Sequence, residues 1–220
     1  MILKTGTTLP RLLPRGDYED WIAAGLGVPE VRVCRLSEGE ALPDAAAPRA
    51  VVITGSAAMV TDRLEWSERA AAWLLEVLAR ETPVLGICYG HQLLAHALGG
   101  VVGANPRGRE IGTIEVDLTA AAASDPLLGG LGPRLVVSAS HRQSVLQLPR
   151  GARHLGGNAT DPNQAFAIGE RARPRDPTRD GTARPKRARR SRTPGWDPSR
   201  CRRGALPPRA GAIPIDGARR

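Results

Sequence analysis

Cys88 stands in the run Gly86-Ile87-Cys88-Tyr89-Gly90, between an apolar stretch, "PVLGI", and a helical pattern, "YGHQLLAHALGG". A thiol with a glycine two residues away on each side, at a strand-to-helix junction, has the frame of a nucleophile elbow. The strand enters, the nucleophile occupies a strained turn, and the helix leaves. The glycines allow a close approach of backbones that a Cβ would block. The helix N-terminus beneath the sulfur favours the thiolate. The Tyr89 backbone N–H points to where an oxyanion forms when a thiolate attacks a carbonyl. Taken alone, Cys88 also reads as a buried core thiol, a common fate of cysteine.

The elements that must position this turn are legible upstream. "MILKT" reads as a short strand, and "GDYEDWIAAGLG" as a helix ended by glycine. "EVRVCRL" and "RAVVITGS" read as strands. The stretch "WSERAAAWLLEVLAR" places Trp66, Ala70, Trp73, Leu74, Val77 and Leu78 on one helical face. "PVLGI" reads as a buried strand, and "YGHQLLAHALGG" as a helix with a Gly-Gly stop. Alternating strands and helices of this kind predict a parallel sheet covered by helices. Further on, "EIGTIEVDLT", "RLVVSAS" and "NQAFAIGE" read as strands or hairpin pieces.

Composition divides the chain in two. Residues 1–170 hold 15 Lys and Arg against 18 Asp and Glu, whereas residues 171–220 hold 16 against four. The net charge of +9 therefore comes entirely from the last fifty residues. That segment has no Val, Phe, Tyr or Met and no apolar periodicity, so it reads as a disordered basic tail. Three separated cysteines, Cys34, Cys88 and Cys201, form no CxxC pair and suggest neither a zinc site nor a disulfide framework. A reducing, cytoplasmic setting is expected. No secretory signal, membrane span or GxxxxGK[ST] loop is visible, so no membrane partner, metal or cofactor is expected.

The longer stretch "GICYGHQLLAHALGG" closely resembles the nucleophile motif of class I glutamine amidotransferases, Gly-x-Cys-x-Gly-x-Gln followed by an apolar helix. It is most similar to the stand-alone proteins that resemble the amidotransferase domain of GMP synthase. The resemblance covers residues 1–170. It implies an α/β, three-layer, flavodoxin-like fold, with a mostly parallel sheet and helices on both faces. It implies L-glutamine as substrate, Cys88 as nucleophile, and an ammonia-acceptor enzyme or domain as partner. Gly55 and Ser56, ending "VVITGS", match the loop that completes the oxyanion hole with Tyr89. Gln92, Ser140 and His141 match positions that meet the substrate, the latter two in "SASHRQSV". Arg107, Arg109 and Glu110 read as solvated charges or a local ion pair.

The resemblance also exposes a gap. Family members use a histidine from a late strand, oriented by a glutamate two residues on. The histidines here are His91, His96, His141 and His154, and none follows position 154. The catalytic histidine and glutamate are not found, and the domain reads as lacking its last strand and helix. His91 is expected to point away from the sulfur, and His141 has no evident carboxylate to orient it. The composition changes where the resemblance stops, as a reading-frame change near Ala172 produces. Impaired glutamine hydrolysis is therefore expected. The alternatives are a non-catalytic binding domain of the same fold or a related γ-glutamyl hydrolase. The tail offers at most non-specific nucleic-acid binding, because Trp196 is its only aromatic residue.

Overall fold

The computed structural model describes residues 1–28 and 30–169. The basic tail expected over 171–220, with Cys201, lies outside the described residues. Among those described, no helix is long and apolar enough to cross a membrane.

Strands β1 (Ile2–Lys4), β2 (Val33–Arg35), β3 (Val51–Ile53) and β4 (Val84–Gly86) form a parallel sheet in the order β2-β1-β3-β4. Helix α1 (Tyr18–Leu26) begins at Asp17, whose carboxylate caps the first turn while Asp20 answers its backbone N–H. Gly27, at φ +61°, ends it in the left-handed region that glycine tolerates. Helix α2 (Glu65–Ala79) buries Ala70, Trp73, Leu74 and Val77, the face that its apolar spacing predicts. Helix α3 (Tyr89–Ala97) starts directly after Cys88.

Residue alternation along the strands sorts the helices into layers. Leu3, Val51 and Ile53 face α2 and α3, joining Trp73, Leu74, Val77, Tyr89 and Leu93 in one apolar core. Lys4 points to the other face and meets Asp17 and Glu19, at the start of α1. Helices thus cover both faces of a parallel sheet, as expected.

Beyond α3 the chain turns antiparallel. β5 (Val101–Ala104) pairs with β8 (Gln143–Gln147). A second sheet, in the order β10-β9-β6-β7, contains β6 (Glu110–Leu118), β7 (Arg134–His141), β9 (Arg153–Gly157) and β10 (Ala165–Ala167). The β6–β7 register sets Glu110 opposite His141.

One expectation about burial fails. "PVLGI" reads as a buried strand, yet β4 is the last member of its sheet among the described residues. Leu85 is 38% exposed and Ile87 40%. An apolar run of this length reads alike whether it lies inside a sheet or at its edge. Only the strand order distinguishes the two.

Candidate functional site

The ends of β3 and β4 build the turn that carries Cys88. Ile87 N–H donates to Ile53 O at 3.0 Å, and Gly90 N–H donates to Thr54 O at 3.2 Å. These bonds pull the start of α3 down onto β3. A Cβ on Gly86 would collide with the Gly90 carbonyl. One on Gly90 would lie 2.6 Å from both Cβ and O of Ile53. Both glycines of the motif are therefore fixed by close backbone approach. Cys88 between them takes φ 53°, ψ −102°, a strained conformation for a residue with a Cβ.

Gly55 lies against this turn, since a Cβ built there would come within 3.7 Å of the Cys88 Cβ. Beneath the loop, a Cβ on Gly6 would meet Ser56 Oγ at 2.6 Å. Ser56 Oγ accepts from Ala58 N–H at 3.1 Å, which closes its own loop. Thr5 and Thr54 lock the ends of β1 and β3 through Thr5 N–H to Thr54 Oγ1 at 3.0 Å and Thr5 Oγ1 to Thr54 O at 3.0 Å. Tyr89 is buried, stacks beside Trp66, and shares a 2.6 Å hydrogen bond with Ser67 Oγ. That anchor fixes the first turn of α3.

The Cys88 side chain is exposed, so reagents can reach it. Surrounding atoms still strip solvation from a thiolate there and push the thiol pKa up, which the Tyr89 backbone N–H only partly opposes. The net direction is opposite to the lowered value that a helix N-terminus alone would give. Desolvation outweighs the Tyr89 N–H at this position.

No imidazole is hydrogen-bonded to Cys88 among the described residues, and each histidine has another environment. His91 stacks on Phe166 with ring centroids 4.9 Å apart. Its Nε2 is buried with no hydrogen-bond partner among the described residues. Burial lowers its pKa to about 4; Asp161 resists that shift, and His141 adds to it. His96 Nε2 lies 3.1 Å from Glu68 Oε1. His154 Nε2 lies 2.6 Å from Pro162 O.

His141 has the carboxylate that the sequence did not reveal. Its Nε2 is 2.9 Å from Glu110 Oε2, and its Nδ1 is 3.0 Å from Gln143 O and 3.9 Å from Asp161 Oδ2. Glu110 is 6% exposed and also accepts from Asn158 Nδ2 at 2.8 Å and Gln164 Nε2 at 2.7 Å. The reading of Glu110 as a solvated charge is therefore corrected: its partners converge from β7 and from the loop before β10. Both nitrogens of His141 are engaged, so the ring is held rather than free to serve Cys88.

Of the other sequence-derived positions, Gln92 is buried and donates from Nε2 to Gln143 O at 2.8 Å, one helical turn from Cys88. The same carbonyl bonds His141, which brings Gln92 and His141 together. The Ser140 side chain is turned to the exposed face of the β6–β7 ribbon, where Arg109 donates to its Oγ at 3.2 Å. Gln143, passed over in the sequence, is the shared link. Its only sequence signal is a polar residue between strand-like runs.

A cysteine on a strained strand-to-helix turn, above a parallel sheet with helices on both faces, defines an α/β protein of the nucleophile-elbow kind. More particularly, the chain belongs to the glutamine amidotransferase class-I family, whose model matches residues 25–174. It is 31% identical over 167 residues to GMP synthase [glutamine-hydrolyzing] of Rhodopseudomonas palustris, covering 76% of this chain and 29% of that one. It is 41% identical over 130 residues to the Aeropyrum pernix protein of the same name, covering 59% and 23%. The chain thus spans less than a third of the length of these two relatives. A crystal structure of a glutamine amidotransferase from Methylobacillus flagellatus superposes with a TM-score of 0.64 at 26% identity, over 76% of this chain and 64% of that one.

Proposed function

We propose that Cys88 is a nucleophile directed at the side-chain amide of L-glutamine. Its Sγ attacks the amide carbon and forms a tetrahedral oxyanion, received by backbone N–H groups of Tyr89 and the Gly55–Ser56 loop. Return of a proton to the nitrogen releases ammonia and leaves a γ-glutamyl thioester. Water then frees glutamate and restores the thiol. Gln92 and the backbone at Ser140–His141 hold the substrate. Ammonia passes to a separate acceptor enzyme or domain, consistent with the relatives named as glutamine-hydrolysing GMP synthases. The observation that carries this reading is the strained Cys88 turn with Gly55 packed against it.

Turnover is impaired in this chain. The raised Cys88 thiol has no hydrogen-bonded imidazole among the described residues, and no histidine follows His154. Loss of the base from a nucleophile–base unit costs on the order of 10⁴–10⁶ in rate. The same observation supports a second reading, in which the site binds glutamine without turning it over.

Glutamate release from L-glutamine tests both. The expected result is release about 10⁴-fold or more below that of a relative with a complete triad, and abolished by Cys88→Ala. Release that survives Cys88→Ala overturns the nucleophile assignment. Release as fast as in the complete relative overturns the impairment.

A further inference from the structure

Gln143 stands where three parts of the candidate pocket meet, and it is 6% exposed. Its side-chain Oε1 accepts from Val60 N–H at 3.0 Å, and its Nε2 donates to Thr61 Oγ1. Its backbone carbonyl accepts from Gln92 Nε2 at 2.8 Å and from His141 Nδ1 at 3.0 Å. A backbone N–H can only donate, so the oxygen end of the Gln143 amide faces Val60. A carbonyl oxygen has two lone pairs, and here both are taken. One residue thereby ties the segment after β3, which carries Gly55 and Ser56, to α3 one turn beyond Cys88. It also ties both to the strand that carries Ser140 and His141.

We infer that Gln143 is a positioning residue for amide recognition at Cys88. It holds Gln92 and the segment around Val60 and Thr61 in their bound arrangement before glutamine arrives. Preorganisation of this kind raises affinity by removing the cost of ordering the pocket on binding. A residue that merely filled space would need neither end of its amide. Methionine has nearly the same length but leaves the buried Val60 N–H without its acceptor. Glutamate keeps an acceptor for Val60 N–H and can accept from the Thr61 hydroxyl. The inference rests on the glutamine-directed reading of the site.

Calorimetric titration of the full chain with L-glutamine tests it. The expected Kd rises about tenfold in Gln143→Met and stays within about threefold of wild type in Gln143→Glu. The alkylation rate of Cys88 by iodoacetamide without glutamine stays within about twofold in both, because the elbow bonds are untouched. A general loss of structure would move that rate as well. If Gln143→Met does not fold, Thr61→Val, at an exposed position, carries the test with an expected Kd rise of about threefold. Wild type that binds glutamine while the folded variant binds as tightly overturns the positioning role alone. Wild type that fails to bind glutamine overturns the reading of the site, and this inference with it.

Discussion

Around β1, the parallel sheet is sealed: Lys4 is 6% exposed and meets Asp17 at 2.9 Å and Glu19 at 2.8 Å beneath α1. Around β4, on the same face, Leu85 and Ile87 are open to solvent, and the strand leads into the strained Cys88 turn. The register places Ile2 beside Val52, and Val52 beside Leu85, so one continuous face passes from sealed to open. Burial against Lys4 disfavours its charge, but the bonds to Glu19 and Asp17 outweigh that cost and hold its pKa above the ordinary range. Burial likewise works against the Asp17 carboxylate, yet Lys4 and the Thr8 and Tyr18 N–H groups hold its pKa below the usual range. At Cys88 desolvation is the larger effect and pushes the thiol the other way. The contrast teaches that fixed, paired charge gathers around β1, while strain, exposure and a thiol with no hydrogen-bonded imidazole among the described residues gather around β4.

Removing the sealed charge should break the first half of that contrast most strongly. Lys4→Met leaves two buried carboxylates unpaired and should lower unfolding free energy by about 3–5 kcal/mol in a urea titration. A loss below about 1 kcal/mol would mean that the network adds nothing net to the fold. His91, at the seam between α3 and β10, should give a smaller, pH-dependent effect. Its folded pKa, about 4, lies below the ordinary histidine value of 6.5, so the unfolded chain binds the extra proton between those values. Stability should therefore fall as pH drops from 6.5 toward 4, by about 2 kcal/mol, and His91→Phe should flatten that slope. The smallest effect belongs to the open edge. Ile87→Lys should change stability by no more than about 0.5 kcal/mol, as for other exposed positions. A loss above about 2 kcal/mol would show that β4 is covered in solution, and the contrast would disappear.

The geometry of the turn was legible because its residues are constrained locally. Gly86 and Gly90 are forced by contacts within a few residues or with the adjoining strand, and glycine advertises such contacts in the sequence. The helices were legible for the same reason, through the Asp17 cap, Gly27 and the apolar face of α2. Glu110 and Gln143 were not. Apart from the contact between Gln143 and nearby His141, their partners lie 31 to 83 residues away in sequence, and only the assembled fold brings them together. A charge that will be buried reads like one that will stay solvated until that pairing is known. The place of β4 as the last strand among the described residues was hidden similarly, since residue type does not report what lies beside a strand. The expected tail, with its disorder and its basic surface, lies outside the described residues.

The central claim is that Cys88 is reachable on its turn and opens into a pocket for the glutamine amide. Peptide-resolved alkylation of the native chain by iodoacetamide, with and without L-glutamine, tests it most directly. Cys34 is fully buried and supplies an internal control. The account predicts that Cys88 is modified while Cys34 is spared, and that L-glutamine slows the reaction at Cys88 alone. Protection of neither cysteine, or a Cys88 that resists alkylation as Cys34 does, would contradict it.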